Sequence, residues 1–82
     1  MRLDKYLKVS RLIKRRTVAN EACDNGRVTA NGRVVKASYD VKVGDILEIG
    51  FGSRTVKLRV LELLEHEKKE LSGNMYEIIE QK

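Results

Sequence analysis

Seven cationic side chains fall within the first sixteen residues, Arg2, Lys5, Lys8, Arg11, Lys14, Arg15 and Arg16, and Asp4 is the only acid among them. The rest of the chain carries ten basic and eleven acidic groups, so the whole net charge of +5 originates in its first fifth. Charge kept only for solubility has no reason to gather in one place, whereas a local excess of one sign attracts a polyanion. Guanidinium and ammonium groups at this density do one kind of chemistry well, the neutralisation of phosphates. The seven residues are therefore the candidate binding set.

Other reactive side chains offer nothing comparable. Cys23 is the single cysteine and His66 the single histidine of the chain, which excludes an internal disulfide framework and a structural zinc site. Cys23 has no basic neighbour to support a thiolate, so its expected role is structural. His66, in LLEHEKK, reads as a solvated loop residue. Tyr39 and Tyr76 have the faces to stack on bases, but single tyrosines in strands more often pack half-buried. No catalytic residue, metal or cofactor is expected. With 82 residues the chain has little room to enclose an active site. No apolar run approaches the ~20 residues of a membrane span, and no signal-peptide core is visible. A cytoplasmic monomer without membrane contact is expected.

The elements that must position the cations follow from periodicity. RLDKYLKV, residues 2–9, reads as a short helix with Leu3, Tyr6 and Leu7 on one side and the lysines turned away. Residues 10–13 make a turn. A second helix is expected from Lys14 or Arg15 to Asn25, burying Val18, Ala19 and Ala22, with Gly26 as its stop. Arg15 and Arg16 would then sit in its first turn, where the helix dipole disfavours cations and free N–H groups favour anions. That placement suits a phosphate-rich partner better than it suits folding. The exposed middle of this helix offers Asn20, Glu21 and Asp24. Two carboxylates there would be repelled by a DNA groove, so contact should be confined to the helix start and to the phosphates of a structured RNA.

From Arg27 the pattern changes to strands. RVTANGRVVK is a hairpin signal, with Asn31-Gly32 at a turn that needs positive φ at both residues. VKVGDILEIGF gives a turn at Gly44-Asp45 and a strand from Ile46 to Phe51. After a turn at Gly52-Ser53, Val56, Leu58 and Val60 alternate with Lys57 and Arg59 as in a half-buried strand. MYEIIE adds one more strand, and residues 65–74 between them read as a charged loop or frayed helical turn. The fold class is α+β, two N-terminal helices packed on a small, mostly antiparallel sheet.

RLDKYL, the KRR helix start, GRVTANGRVVK and VKVGDIL, in that order and spacing, resemble the S-four domain, an RNA-binding module of the alpha-L type. The resemblance covers residues 1–50, with 51–82 as a sheet extension of the same domain. Among S-four proteins the chain is most similar to small stand-alone members, those of the heat-shock type and those of ribosome-associated quality control. The resemblance implies binding to the large ribosomal subunit through its rRNA and a peptidyl-tRNA. It also implies a tailing factor as companion on that subunit and a supporting role in C-terminal tailing of stalled chains. Carried over residue by residue, it places the family's basic positions on Arg2, Lys5, Lys14 and Arg16. Tyr6 stands where heat-shock relatives have tryptophan, and their long basic tail is absent. Alternatives are a constitutive rRNA-binding or ribosome-assembly protein and a DNA-binding protein. Alanine at Arg2 or Arg16 is expected to weaken ribosome association and leave the fold intact, whereas changes at Lys68 or Lys69 should do little.

Overall fold

In the computed structural model, which describes residues 1–63 and 75–81, helix α1 (Leu3–Val9) and helix α2 (Arg16–Asp24) precede five strands. These are β1 (Val28–Ala30), β2 (Arg33–Val34), β3 (Ile46–Phe51), β4 (Arg54–Val60) and β5 (Tyr76–Gln81). The strands form one sheet in the order β2-β1-β3-β4-β5, and every neighbouring pair is antiparallel. The expected loop at residues 65–74, with His66, Lys68 and Lys69, lies outside the described residues.

The helices form as their spacing dictates. Leu3, Tyr6 and Leu7 are fully buried, and they meet the inward face of the sheet, where Leu47, Ile49, Leu58 and Val60 are equally inaccessible. The α2 boundary is tighter than expected: Arg15 is the N-cap, Arg16 the first helical residue and Asn25 the C-cap. Gly26, at φ 74°, closes the helix in a Schellman arrangement, its N–H donating to Cys23 O and that of Arg27 to Ala22 O. The buried face also differs. Ala19 and Cys23 are buried, Ala22 is half-buried, and Val18 is 47% exposed. Of the three residues expected to be buried, Val18, Ala19 and Ala22, only Ala19 is fully covered, and the helix is rolled so that Cys23 joins it in the core. Val18 is left on the rim of an apolar groove with Leu12, Ile13, Ile49 and Phe51.

The strand register matches the turn chemistry. Asn31 (φ 53°) and Gly32 (φ 85°) both occupy the left-handed region between Ala30 and Arg33, which pair across the hairpin. Phe51 likewise pairs with Arg54 across Gly52-Ser53. Asp45, almost fully buried, ties the β1–β2 turn to the start of β3, accepting hydrogen bonds from the Asn31 amide at 3.1 Å, the Tyr39 hydroxyl at 2.8 Å and the Lys42 N–H at 3.0 Å. The long connection between β2 and β3 then reaches back to α1. There the Leu3 N–H donates to Tyr39 O at 2.8 Å and the Asp4 N–H to Ala37 O at 3.2 Å. Two of the N–H groups that a helix start leaves without intrahelical partners are thereby satisfied by the sheet's own loop, which fixes where Arg2 stands.

Candidate nucleic-acid interface

Arg2 caps α1 in an extended conformation, and Arg16 opens α2. They are separated by fourteen positions in sequence and brought together by one carboxylate. Asp4, only 2% exposed, accepts from Arg2 Nε at 3.2 Å and Nη2 at 3.3 Å, a two-pronged contact, and from Arg16 Nη2 at 3.4 Å. It also accepts from Asn20 Nδ2 at 3.2 Å and from the Lys5 N–H at 2.8 Å. Burial alone would push the Asp4 carboxyl up, but the hydrogen bonds from Arg2, Asn20 and Arg16 outweigh it and hold the group below the ordinary aspartate value. Asp4 is therefore charged at neutral pH, with its capacity as an acceptor largely used.

The consequence for the arginines is geometric. Their side chains remain 52% and 50% exposed, so each is held on one side by Asp4 and open to solvent on the other. An arginine already ordered by a buried partner loses less rotamer entropy when it meets a phosphate. Lys14 and Arg15 are exposed and lie directly before Arg16, at a helix start that no side chain caps. They add charge where unsatisfied N–H groups already favour an anion. Lys5 and Lys8 are half-buried along α1. Arg11 is exposed in the turn between the helices and lines a different groove, against Phe51, Arg54 and Tyr76. Of the seven cations, Arg2, Lys14, Arg15 and Arg16 are thus gathered around α2's start, Lys5 and Lys8 lie along α1, and Arg11 lines the groove beside the sheet.

Asn20 is not the exposed polar residue that helix position suggested. It is half-buried and committed to Asp4, which leaves Glu21 and Asp24 as the exposed polar side chains in the middle and last turn of α2. Tyr6 is likewise unavailable for stacking: it is fully buried, its hydroxyl donates to Met75 O at 2.7 Å, and burial foremost raises its phenol well above the ordinary range. Burial, then Asp4 and Asp24, pushes the Cys23 thiol up to about 11, so it stays protonated at neutral pH. Among the described residues no group of acidic, histidine or cysteine side chains is arranged to hold a metal ion, and no helix is long and apolar enough to cross a membrane.

Two short helices that present arginines at the mouth of the second, mounted on a small antiparallel sheet, define an RNA-binding type of architecture. The S4 domain model matches residues 1–47, and the chain belongs to that family. Over 79 residues the chain is 57% identical to the RQC P-site tRNA stabilizing factor of Streptococcus pneumoniae, spanning 96% of this chain and 90% of that protein. It is 56% identical over 81 residues to the protein of the same name from Bacillus subtilis, spanning 99% and 94% of the two chains. The fold is also that of heat shock protein 15 from Vibrio cholerae, solved as a trimer, with a TM-score of 0.89 at 24% identity over 95% of this chain and 80% of that one.

Proposed function

We propose that the chain is an RNA-binding accessory factor, without catalytic activity of its own, that acts on the large ribosomal subunit in ribosome-associated quality control. In this reading its 82 residues work as one RNA-binding unit in the cytoplasm. The unit contacts rRNA and a peptidyl-tRNA beside a tailing factor and supports C-terminal extension of stalled chains. The relatives named for stabilising a P-site tRNA match nearly end to end, and a tRNA held in place needs a rigid clamp on its phosphates rather than a reactive group. The observation that carries the reading is the buried Asp4 holding Arg2 and Arg16 side by side. With Lys14 and Arg15 they make a preorganised cationic surface, and Lys5, Lys8 and Arg11 extend it.

The contacts proposed are to backbone phosphates, so selectivity comes from the shape of the particle and not from base sequence. A DNA-reading role is disfavoured by Glu21 and Asp24 on the exposed side of α2 and by the commitment of Asn20 to Asp4. Ribosome fractionation tests the assignment. The protein should travel with free large subunits bearing peptidyl-tRNA, be depleted from intact translating ribosomes, and be needed for tailing of stalled chains. Uniform distribution through polysomes, with tailing unaffected by its deletion, would overturn the reading.

A further inference from the structure

The donors that meet Asp4 are not equivalent. The Lys5 N–H, fixed in the backbone of α1, reaches Oδ1 at 2.8 Å, and Arg2 holds both oxygens through Nε and Nη2 at 3.2 and 3.3 Å. Arg16 reaches Oδ1 from Nη2 at 3.4 Å. That is the longest of these bonds, beyond the ~2.7–3.2 Å usual for N–H···O contacts. It also comes from the half-exposed side chain that opens α2. A phosphate arriving at that helix start competes with Asp4 for the Arg16 guanidinium, and the longest bond yields first.

Asn20 compensates for that weakness. It lies four positions after Arg16, so the two side chains share one face of α2. Its Nδ2 donates to the other carboxylate oxygen, Asp4 Oδ2, at 3.2 Å. A neutral amide binds phosphate less strongly than a guanidinium does, and Asn20 is half-buried where Arg16 is exposed. RNA therefore has a strong hold on Arg16 and a weak one on Asn20. Burial pushes the Asp4 carboxyl up, and among the hydrogen bonds that bring it down those from Arg2 and Asn20 come ahead of that from Arg16, whose charge adds a further, smaller lowering. A buried carboxylate deprived of its partners is costly, so an arginine that Asp4 still needs is held back. With the Lys5 N–H, Arg2 and Asn20 in place, Asp4 can release Arg16.

We propose that Asn20 is a positioning residue of the RNA site: by holding Asp4 Oδ2 it lets Arg16 pass from Asp4 to an RNA phosphate while Arg2 stays anchored. The inference rests on the RNA-binding reading above and deepens it, dividing the two arginines into an anchored one and a transferable one. Asn20 acts through Asp4 and not on the phosphate. Without its amide, Asp4 draws Arg16 inward, and RNA must compete with a carboxylate that has fewer donors.

The test joins a measurement on the free chain to one on the large subunit. In the isotopically labelled full chain, nitrogen exchange spectroscopy follows rotation of the Arg16 guanidinium about its Nε–Cζ bond. Asn20→Ala is expected to slow that rotation by about twofold or more, because the carboxylate closes on Arg16. A residue that merely supported the helix start would have the opposite effect when removed, freeing the guanidinium and speeding its rotation. Affinity for purified large subunits bearing peptidyl-tRNA should fall by about threefold or more in Asn20→Ala. In an Arg16→Ala background the same substitution should have less than about half that effect, since there is no arginine left to transfer. Faster rotation, undiminished affinity in Asn20→Ala, or a fully additive loss in the double variant would overturn the proposal. Arg16→Ala binding as tightly as the unaltered chain would overturn the underlying reading, and the transfer with it. The rotation measurement contains no RNA and so reports on Asn20 and Asp4 independently of that reading.

Discussion

Arg2 and Arg16 donate to the same oxygen of a carboxylate that is itself buried, Asp4 Oδ1, at 3.2 and 3.4 Å. The acid within the basic cluster is therefore its organiser rather than a flaw in it. Local charge counting predicts that removing Asp4 would strengthen RNA binding, because one negative charge leaves the surface. The geometry predicts the opposite. Asp4→Asn should reduce affinity for the large subunit several-fold, since Asn presents an N–H₂ group among donors and releases both arginines. It should also destabilise the fold by about 1–3 kcal/mol, the usual result of depriving buried donors and acceptors of partners. Parallel measurement of denaturant midpoint and subunit affinity checks both; a gain in affinity would show that preorganisation is not what Asp4 supplies.

Alanine substitution should separate the patch from the rest of the surface. Arg2→Ala and Arg16→Ala are expected to weaken co-sedimentation with large subunits strongly, and Lys57→Ala, on the outward face of β4, to leave it nearly unchanged. Exposure alone predicts that either arginine can be replaced with the fold left intact, as for most surface residues. Their attachment to buried Asp4 revises this. Arg2→Ala removes two of the hydrogen bonds and should cost about 1 kcal/mol, whereas Arg16→Ala removes one long bond and should cost less. Equal binding losses in Arg2→Ala and Lys57→Ala would defeat the patch model.

The salt dependence should follow from the number of phosphates engaged. If four to six are neutralised, the logarithm of affinity falls against the logarithm of salt with a slope of roughly −3 to −5. Arg16→Ala should make the slope shallower by about one, because one phosphate contact disappears. A flat response measured by filter binding or sedimentation would point to contacts other than phosphate.

Much of this arrangement was legible in the sequence. The hairpin at Asn31-Gly32, the strand from Ile46 to Phe51 and the stop at Gly26 each rest on a local rule that the fold obeys, because left-handed turn positions leave few alternatives. Two features were not. The roll of α2, which exposes Val18, depends on how closely α1 approaches, and helical periodicity does not report that distance. The commitment of Asn20 to Asp4 is a contact across sixteen residues with no local signature.

Acid should unfold the protein through Asp4 and Asp45, the two carboxylates buried among the described residues. Asp4 and Asp45 both titrate below the ordinary aspartate value: burial pushes each up, but Arg2, Asn20 and Arg16 at Asp4, and the Lys42 N–H, Tyr39 and Asn31 at Asp45, prevail. A carboxylate whose folded value is depressed contributes stability that is complete above its unfolded value and is lost as pH falls through the folded one. Stability should thus be insensitive to these groups at neutral pH and fall below about pH 4, by up to about 1.4 kcal/mol per pH unit for each carboxylate. Asp45→Asn should flatten this acid limb and leave the subunit affinity unchanged, whereas Asp4→Asn should flatten it and lower affinity. Denaturant midpoints measured from pH 7 to pH 2.5 would decide; an acid limb unchanged in both variants would place the acid sensitivity elsewhere.

The hydroxyl of Tyr6 offers a measurement of how firmly the last strand is tied to the helices. Tyr6 Oη donates to Met75 O across the core at 2.7 Å, and both residues are fully buried, so the bond links α1 to the residue that precedes β5. Tyr6→Phe removes the donor without changing the ring. The cost depends on whether the carbonyl is left stranded, and it is not: Met75 O also accepts from the Leu61 N–H at 2.9 Å and the Glu62 N–H at 3.2 Å. The loss should therefore be that of one net hydrogen bond, about 1 kcal/mol, and not the larger penalty of an unpaired buried acceptor. Amide hydrogen exchange should show where it falls. Protection of Leu61 and of the β4–β5 pairs should drop first, while β1 and β3 keep theirs, because the lost bond constrains one edge of the sheet and not its centre. Exchange accelerated uniformly along the chain would mean that β5 opens only with the whole molecule.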